Sequence, residues 1–168
     1  MEMSFVERED VMELTERMLI ETIRTVFPEK KIQTIPFPRI MYEESMKRYG
    51  TDKPDLREDK NDKNLLAFVW VIDFPFFSSE EYSGSGSTSS PQTTKAVWTF
   101  THNPFSAPKE ECMDDLMHAR NIEHILTTQY DIALNGYELG GGSIRNYRPE
   151  ALRAVFKIMG FDDERIEK

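Results

Sequence analysis

The sequence predicts an α+β chain, an antiparallel β-sheet flanked by helices, and three observations predict it. Apolar residues recur at helical spacing in two well-separated stretches, 9–27 and 149–159. Between them, residues 65–72 read Leu-Leu-Ala-Phe-Val-Trp-Val-Ile, an unbroken apolar run whose β-branched and aromatic bias marks a buried strand. The pair Asn135-Gly136 marks a tight hairpin, because both central residues of a type I′ turn need positive φ. That turn folds the strand at 129–134 back against the one that follows it.

In chain order, residues 1–6 read as the tail of a strand. The helix at 9–27 carries Val11, Leu14, Met18, Leu19, Ile23 and Val26 on one face, and Pro28 ends it. Pro36, Phe37 and Pro38 form an extended connector. Residues 41–49 form a short amphipathic helix, with Gly50 placed for left-handed backbone after its last turn. Residues 51–57, Thr-Asp-Lys-Pro-Asp-Leu-Arg, are polar and turn-rich, which by charge alone is a solvated loop, and 58–64 is a charged linker. The composition at 78–94 shifts to Ser, Gly and Thr, too polar to order itself, so it reads as a flexible loop without a site. Residues 95–101 return as a strand. Residues 110–128 are polar with one helix, and His118 and His124 there read as surface residues, since no metal-binding spacing such as HExxH surrounds them. In the last long helix Pro149 suits the first turn, Leu152, Val155, Phe156 and Met159 make the buried stripe, and Gly160 closes it. Arg148 holds the cap position, where Asp or Ser is preferred. Asp162, Asp163 and Glu164 open a further helix.

With 168 residues the chain is long enough for one domain with a real core, and 39% hydrophobic and 30% charged residues suit a globular protein. A net charge of −9 makes a poor general platform for nucleic acid, so any such contact must be local. The single cysteine, Cys112, excludes an intrachain disulfide and a cysteine metal cluster and reads as a plain thiol. No apolar run approaches the roughly 20 residues needed to span a bilayer. The first residues lack the character of a signal peptide, so the expected compartment is the cytoplasm.

Chemistry concentrates in residues 135–145, Asn-Gly-Tyr-Glu-Leu-Gly-Gly-Gly-Ser-Ile-Arg. Three glycines weaken a strand, and close approach of another backbone or of a ligand is the usual reason for them. Glu138 before them and Arg145 after them could hold a metal-bound phosphate at one end and a carboxylate at the other. Taken alone, the stretch reads first as a glycine-rich hairpin with two surface charges. Asp131 lies on the preceding strand, where antiparallel pairing brings it near Glu138 if the register puts both on one face. His102, at the end of a strand, reads by itself as a structural hydrogen-bonder.

Residues 135–145 resemble the active-site strand of aspartyl-tRNA synthetases of the bacterial type. Phe37-Pro38-Arg39-Ile40 through Tyr49-Gly50-Thr51-Asp52-Lys53-Pro54-Asp55-Leu56-Arg57 resembles the same family, as do Trp70-Val71-Ile72-Asp73-Phe74-Pro75 and His102-Asn103-Pro104-Phe105-Ser106-Ala107-Pro108-Lys109. The three motifs follow the family's order and cover nearly the whole chain. The resemblance implies the central part of a class II catalytic domain over residues 1–168, ATP and Mg²⁺ as cofactors, and aspartate and tRNA as substrates. It implies a dimer of the complete enzyme, with most tRNA contacts made outside this segment. Arg145 is expected to fork onto the side-chain carboxylate of aspartate and His102 to close the amino-acid pocket. Glu138 with Asp131 is expected to hold Mg²⁺ against the ATP phosphates, and Gly140, Gly141 and Gly142 to let substrate lie on bare backbone. The 51–57 stretch becomes a functional loop.

The chain also departs from the pattern. Asn103 stands where the family has a second histidine, and asparagine cannot be protonated. The short linker 58–64 replaces a whole inserted domain. The family's ATP-binding arginines belong to motifs outside this chain, which is therefore expected to be a partial sequence, inactive alone. The alternative is a non-catalytic synthetase-like module that binds an amino acid, a nucleotide or a protein.

Overall fold

The computed structural model of the protein describes residues 1–80 and 97–166. It divides into two compact units, residues 1–74 with 128–144 and residues 75–127 with 145–168.

The first unit is built on a four-stranded sheet. Its order is β2 (Arg39–Met41), β4 (Phe68–Ile72), β7 (Tyr130–Leu134), β8 (Tyr137–Gly142). The two pairings on the β8 side are antiparallel, and β2 joins β4 in parallel. A short parallel pair, β1 (Lys31–Ile32) with β3 (Leu65–Leu66), precedes it. The 65–72 run is thus strand throughout except at Ala67, and its side chains alternate between two apolar clusters. Phe68 and Trp70 join Met12, Ile20, Phe37, Tyr130 and Ile132, while Val69 and Val71 join Ile40, Phe74 and Ala133. Burial on both faces explains why the run shows no polar alternation.

Helix α1 (Arg8–Val26) covers the first of these faces. Its start is fixed where the Asp10 carboxylate accepts the backbone N–H of Glu7 at 2.8 Å. Residues 1–6, expected as strand, are irregular, with Phe5 exposed and at φ 59°. Among the described residues no strand pairs with them, and an unpaired strand has no ladder to hold it. The buried face of α1 also differs from the expected stripe. Val11, Leu19 and Ile23 pack, but Met18 and Val26 are more than half exposed, at 56% and 58%. Met12, Glu16 and Ile20 face inward instead. The helix takes this rotation because the Glu16 carboxylate is satisfied inside. It accepts the N–H of Phe37 at 2.8 Å and the Trp70 indole N–H at 3.3 Å, and it faces the Arg39 guanidinium at 3.5 Å. A buried carboxylate with three partners avoids the heavy penalty of an unpaired one.

Helix α2 (Tyr42–Tyr49) ends at Gly50, φ 70°, as the sequence predicts. The turn Asn135-Gly136, φ 52° and 90°, also forms. The Asn135 side chain adds a role of its own. Its carbonyl accepts the Ala67 N–H and its amide donates to the Leu65 carbonyl, both at 2.9 Å, tying the hairpin tip to the start of β4.

The second unit holds the hairpin β5 (Phe77–Glu80) and β6 (Val97–Phe100) with helices α3 (Met113–Met117), α4 (Pro149–Ile158) and α5 (Asp163–Ile166). Phe76, Phe77, Leu116, Ile125, Ala151 and Val155 form its buried core. Of the loop expected at 78–94, residues 78–80 are strand, because their backbones pair with Thr99, Trp98 and Val97 whatever their side chains. Residues 81–94 lie outside the described residues. Arg148 caps α4 with no side-chain hydrogen bond and instead forks onto Glu110 at 3.2 and 3.0 Å. His118 and His124 are exposed.

Candidate functional site

Strand β7 presents Asp131 and Ala133 to one side of the sheet by simple alternation, and Gln129 lies immediately before it. Asp131 pairs with Gly141 and Ile132 with Gly140, but Ala133 pairs with Glu138. The register therefore slips by one at Leu139, a β-bulge. In a regular ladder Ala133 would face Leu139, and Glu138 would point to the opposite side. The bulge turns Glu138 onto the face of Asp131, so the two carboxylates share one surface.

Two of the three glycines answer to neighbours on β7. A Cβ on Gly141 would stand 1.9 Å from Asp131 Oδ1 and 2.8 Å from the Tyr130 carbonyl oxygen. A Cβ on Gly142 would meet the Tyr130 hydroxyl at 2.7 Å. The Asp131 side chain thus lies across the bare backbone of Gly141. It is buried, and Gln129 Nε2 donates to its Oδ1 at 2.8 Å. Nothing lies within 4 Å of a Cβ on Gly140.

The 51–57 loop supplies a cation to this surface. Lys53 Nζ lies 3.1 Å from Glu138 Oε2, with both side chains 40% exposed. The hydrogen bond to Glu138, with the fields of Asp52 and Asp131, holds the Lys53 ammonium above the ordinary lysine range. The loop is anchored rather than solvated. Pro54 is fully buried, Ser45 Oγ donates to the Thr51 carbonyl at 2.7 Å, and Thr51 Oγ1 accepts the Lys53 N–H at 3.1 Å. Arg57 grips Asp55 through Nε at 3.0 Å and Nη2 at 2.8 Å, and this contact pushes the Asp55 carboxyl below its ordinary range. Lys53 and Gln129 were not singled out by the sequence. The motif around Lys53 flagged its loop, while Gln129 carries only the period-two signal that places it on the face of Asp131.

His102 and Arg145 belong to the second unit, where both are exposed. Asn103 Oδ1 accepts the N–H groups of Phe105 at 2.9 Å and Ser106 at 3.1 Å, which folds the chain after His102 into a tight loop. Buried Ser106 then forms an antiparallel bridge with Arg145, and Asn146 N–H donates to the Phe105 carbonyl at 2.7 Å. The structure therefore brings the His102 loop and the Arg145 backbone side by side. Asn103 acts as an acceptor here, a task that needs no second titratable group.

A cleft of about 480 Å³ in the first unit is lined by Gln33, Tyr49, Arg57, Lys60 and Phe68 among others, and by none of the candidate residues. Its polar groups are largely spoken for, Arg57 by Asp55 and Gln33 by the Leu56 carbonyl and the Glu58 N–H. Among the described residues no group of three His, Cys, Asp or Glu side chains stands ready to enclose a metal. Two carboxylates on one face still fit Mg²⁺, which takes one or two protein carboxylates and completes its oxygen shell with substrate phosphates and water. No helix among the described residues is long and apolar enough to cross a membrane.

A mixed sheet flanked by helices fits what the sequence comparison finds. All of residues 1–168 match the family of class II tRNA synthetases (D, K and N), and the chain belongs to that family. It is 32% identical over 166 residues to an aspartate–tRNA ligase of Streptomyces coelicolor, covering 98% of this chain and 24% of that protein. It is 33% identical over 167 residues to an aspartate–tRNA(Asp/Asn) ligase of Prosthecochloris aestuarii, covering 98% and 23%. A further ligase of the latter kind, from Chlorobium chlorochromatii, needs 290 aligned positions at 24% identity to cover the chain, so it carries residues that have no counterpart here. The chain spans about a quarter of the length of the first two relatives. Its fold matches the aspartyl-tRNA synthetase of Entamoeba histolytica with a TM-score of 0.55 at 16% identity, over 98% of this chain and 33% of that one.

Proposed function

We propose that this chain carries the amino-acid activation centre of an aspartate–tRNA ligase, with both units belonging to one catalytic domain of a cytoplasmic, dimeric enzyme. The observation that carries the reading is the bulged register that sets Asp131 and Glu138 on one face, in a chain matched throughout by the class II family. In the first step an α-carboxylate oxygen of aspartate attacks the α-phosphorus of ATP. The bond to the bridging oxygen breaks, and pyrophosphate leaves. In the second a hydroxyl of the terminal ribose of tRNA attacks the acyl carbon, and AMP leaves. Both steps rest on positioning and on neutralising charge, without a covalent protein nucleophile.

Glu138 and Asp131 would hold Mg²⁺, which supplies charge neutralisation to the ATP phosphates when bound. Gly140, with nothing within 4 Å of a Cβ there, would leave room for substrate, whereas the Asp131 side chain and the Tyr130 hydroxyl already fill the space over Gly141 and Gly142. Arg145, exposed beside the His102 loop, suits a carboxylate, because its planar group makes two parallel hydrogen bonds. His102 closes the pocket from the same loop.

The test is aspartate-dependent ATP–pyrophosphate exchange on the longest natural form of the protein. Arg145→Lys keeps the charge but loses the fork, and exchange should fall by about 100-fold, a few kcal/mol of transition-state binding. Near-normal exchange in that variant would remove Arg145 from the site. Absence of aspartate-dependent exchange in the unmodified protein would favour the non-catalytic module.

A further inference from the structure

We infer that Lys53 is a built-in counter-ion for the acidic pair: its ammonium holds Glu138 until a divalent cation displaces it. The inference rests on the reading of Asp131 and Glu138 as a Mg²⁺ site and deepens it.

Three observations carry it. First, the bulge at Leu139 brings two carboxylates to one face, which is unfavourable when nothing lies between them, since like charges on one sheet surface repel. Second, Lys53 Nζ is 3.1 Å from Glu138 Oε2, the kind of oxygen a hard cation would take. Third, Lys53 is delivered by a fixed loop rather than by a wandering side chain. Buried Pro54 flanks it, and Ser45 and Thr51 clamp the backbone around it. The loop also touches the hairpin, for a Cβ on Gly136 would lie 3.6 Å from the Asp55 Cβ and 3.9 Å from the Lys53 carbonyl oxygen. Arg57, the other cation of the loop, is held by Asp55. One ammonium is therefore aimed at one metal-ligand carboxylate.

The consequence is a competition. A cation reaching Glu138 must break the ion pair, and the released ammonium is then free to meet an anionic group of the arriving nucleotide. Lys53 is a positioning residue in this scheme: it keeps the Glu138 carboxylate aimed and neutralised, and it weakens binding of bare cation in favour of cation that arrives with phosphate.

The experiment titrates the full chain with Mn²⁺ alone and follows the free-ion signal by electron paramagnetic resonance, without nucleotide. Lys53→Met removes the competitor, and Mn²⁺ should bind about threefold to fivefold more tightly, the usual worth of an exposed ion pair. Lys53→Arg restores the cation and should return the affinity to that of the unmodified chain, which a purely structural role for the loop would not require. Glu138→Gln should weaken Mn²⁺ binding whether or not Lys53 is present. Circular dichroism confirms that each variant is folded. Unchanged or weaker Mn²⁺ binding in Lys53→Met, with Glu138→Gln still weaker, overturns the counter-ion role and leaves the metal site standing. Mn²⁺ affinity indifferent to Glu138→Gln, or no measurable binding in any form, overturns both.

Discussion

The two units place their polar groups by different means. In the sheet unit, Glu16, Gln129, Asp131 and Glu138 sit on helix or strand or immediately beside one, and the ladder or the helix pitch decides which way they face. In the hairpin unit, His102, Asn103 and Arg145 lie on irregular chain, where hydrogen bonds to Asn103 and a bridge between Ser106 and Arg145 help to set them. The difference is one of stiffness. A strand residue cannot move without its neighbours, whereas a loop residue is held by one or two hydrogen bonds. On the proposed function, an acidic pair that holds one ion benefits from the first arrangement. On the same proposal, an arginine and a histidine that close around a substrate benefit from the second.

The contrast places the largest of the expected effects in the sheet. Gly141→Val puts a Cβ where Asp131 Oδ1 now lies, 1.9 Å away, with backbone at 2.8 Å behind it. The strand cannot retreat, because β8 is paired along its length with β7. Overpacking of this kind costs about 3 kcal/mol. The urea midpoint should drop accordingly, with the slope unchanged. A variant as stable as the parent would mean that β8 is no stiffer than a loop.

Much of this was legible beforehand, and the parts that were not share a cause. Gly50 and Gly160 as helix stops, Asn135-Gly136 as the turn and the buried run at 65–72 all depend on residues close in sequence, and all form. The acidic pair was readable up to a condition, that Asp131 and Glu138 fall on one face. The bulge that meets the condition leaves no mark in the residue pattern, since Leu139 looks like any strand residue. Contacts across long separations were also hidden. The parallel seat of β2 on β4, the burial of Glu16 among Phe37, Trp70 and Arg39, and the Lys53–Glu138 pair join segments far apart in the chain. Helical spacing shows which face of α1 is apolar, but not that a carboxylate finds partners inside and turns Met18 and Val26 outward. Residues 1–6 failed as a strand for the same reason, since only a neighbouring strand could have made them one.

The hairpin unit should show a smaller and more local response. Asn103→Ala removes the acceptor of two backbone N–H groups, at Phe105 and at buried Ser106. Losing such a cap costs about 1 kcal/mol. Hydrogen exchange should speed up at Phe105, Ser106 and their partner Asn146 while the amides of β7 and β8 stay protected. Equal acceleration in both units would erase the contrast.

The smallest effect lies in the 51–57 loop, irregular chain held by buried Pro54 and by hydrogen bonds from Ser45 and to Thr51. Arg57 keeps the Asp55 carboxyl below its ordinary range, chiefly through their side-chain hydrogen bonds. A carboxylate depressed in the folded state binds fewer protons there than in the unfolded chain. Its stabilisation is therefore present above the unfolded value, about pH 4, and fades as pH falls through the lower folded value. The pair is partly open to water, at 20% and 18% side-chain exposure, so screening should hold its worth below about 1 kcal/mol. Thermal unfolding from pH 5 to pH 2.5 should show a shallower acid limb in Asp55→Asn than in the parent, with the two curves converging at the lowest pH. Parallel acid limbs would mean that the loop's grip comes from Pro54 and Ser45 alone, and that the charges at its end only decorate it.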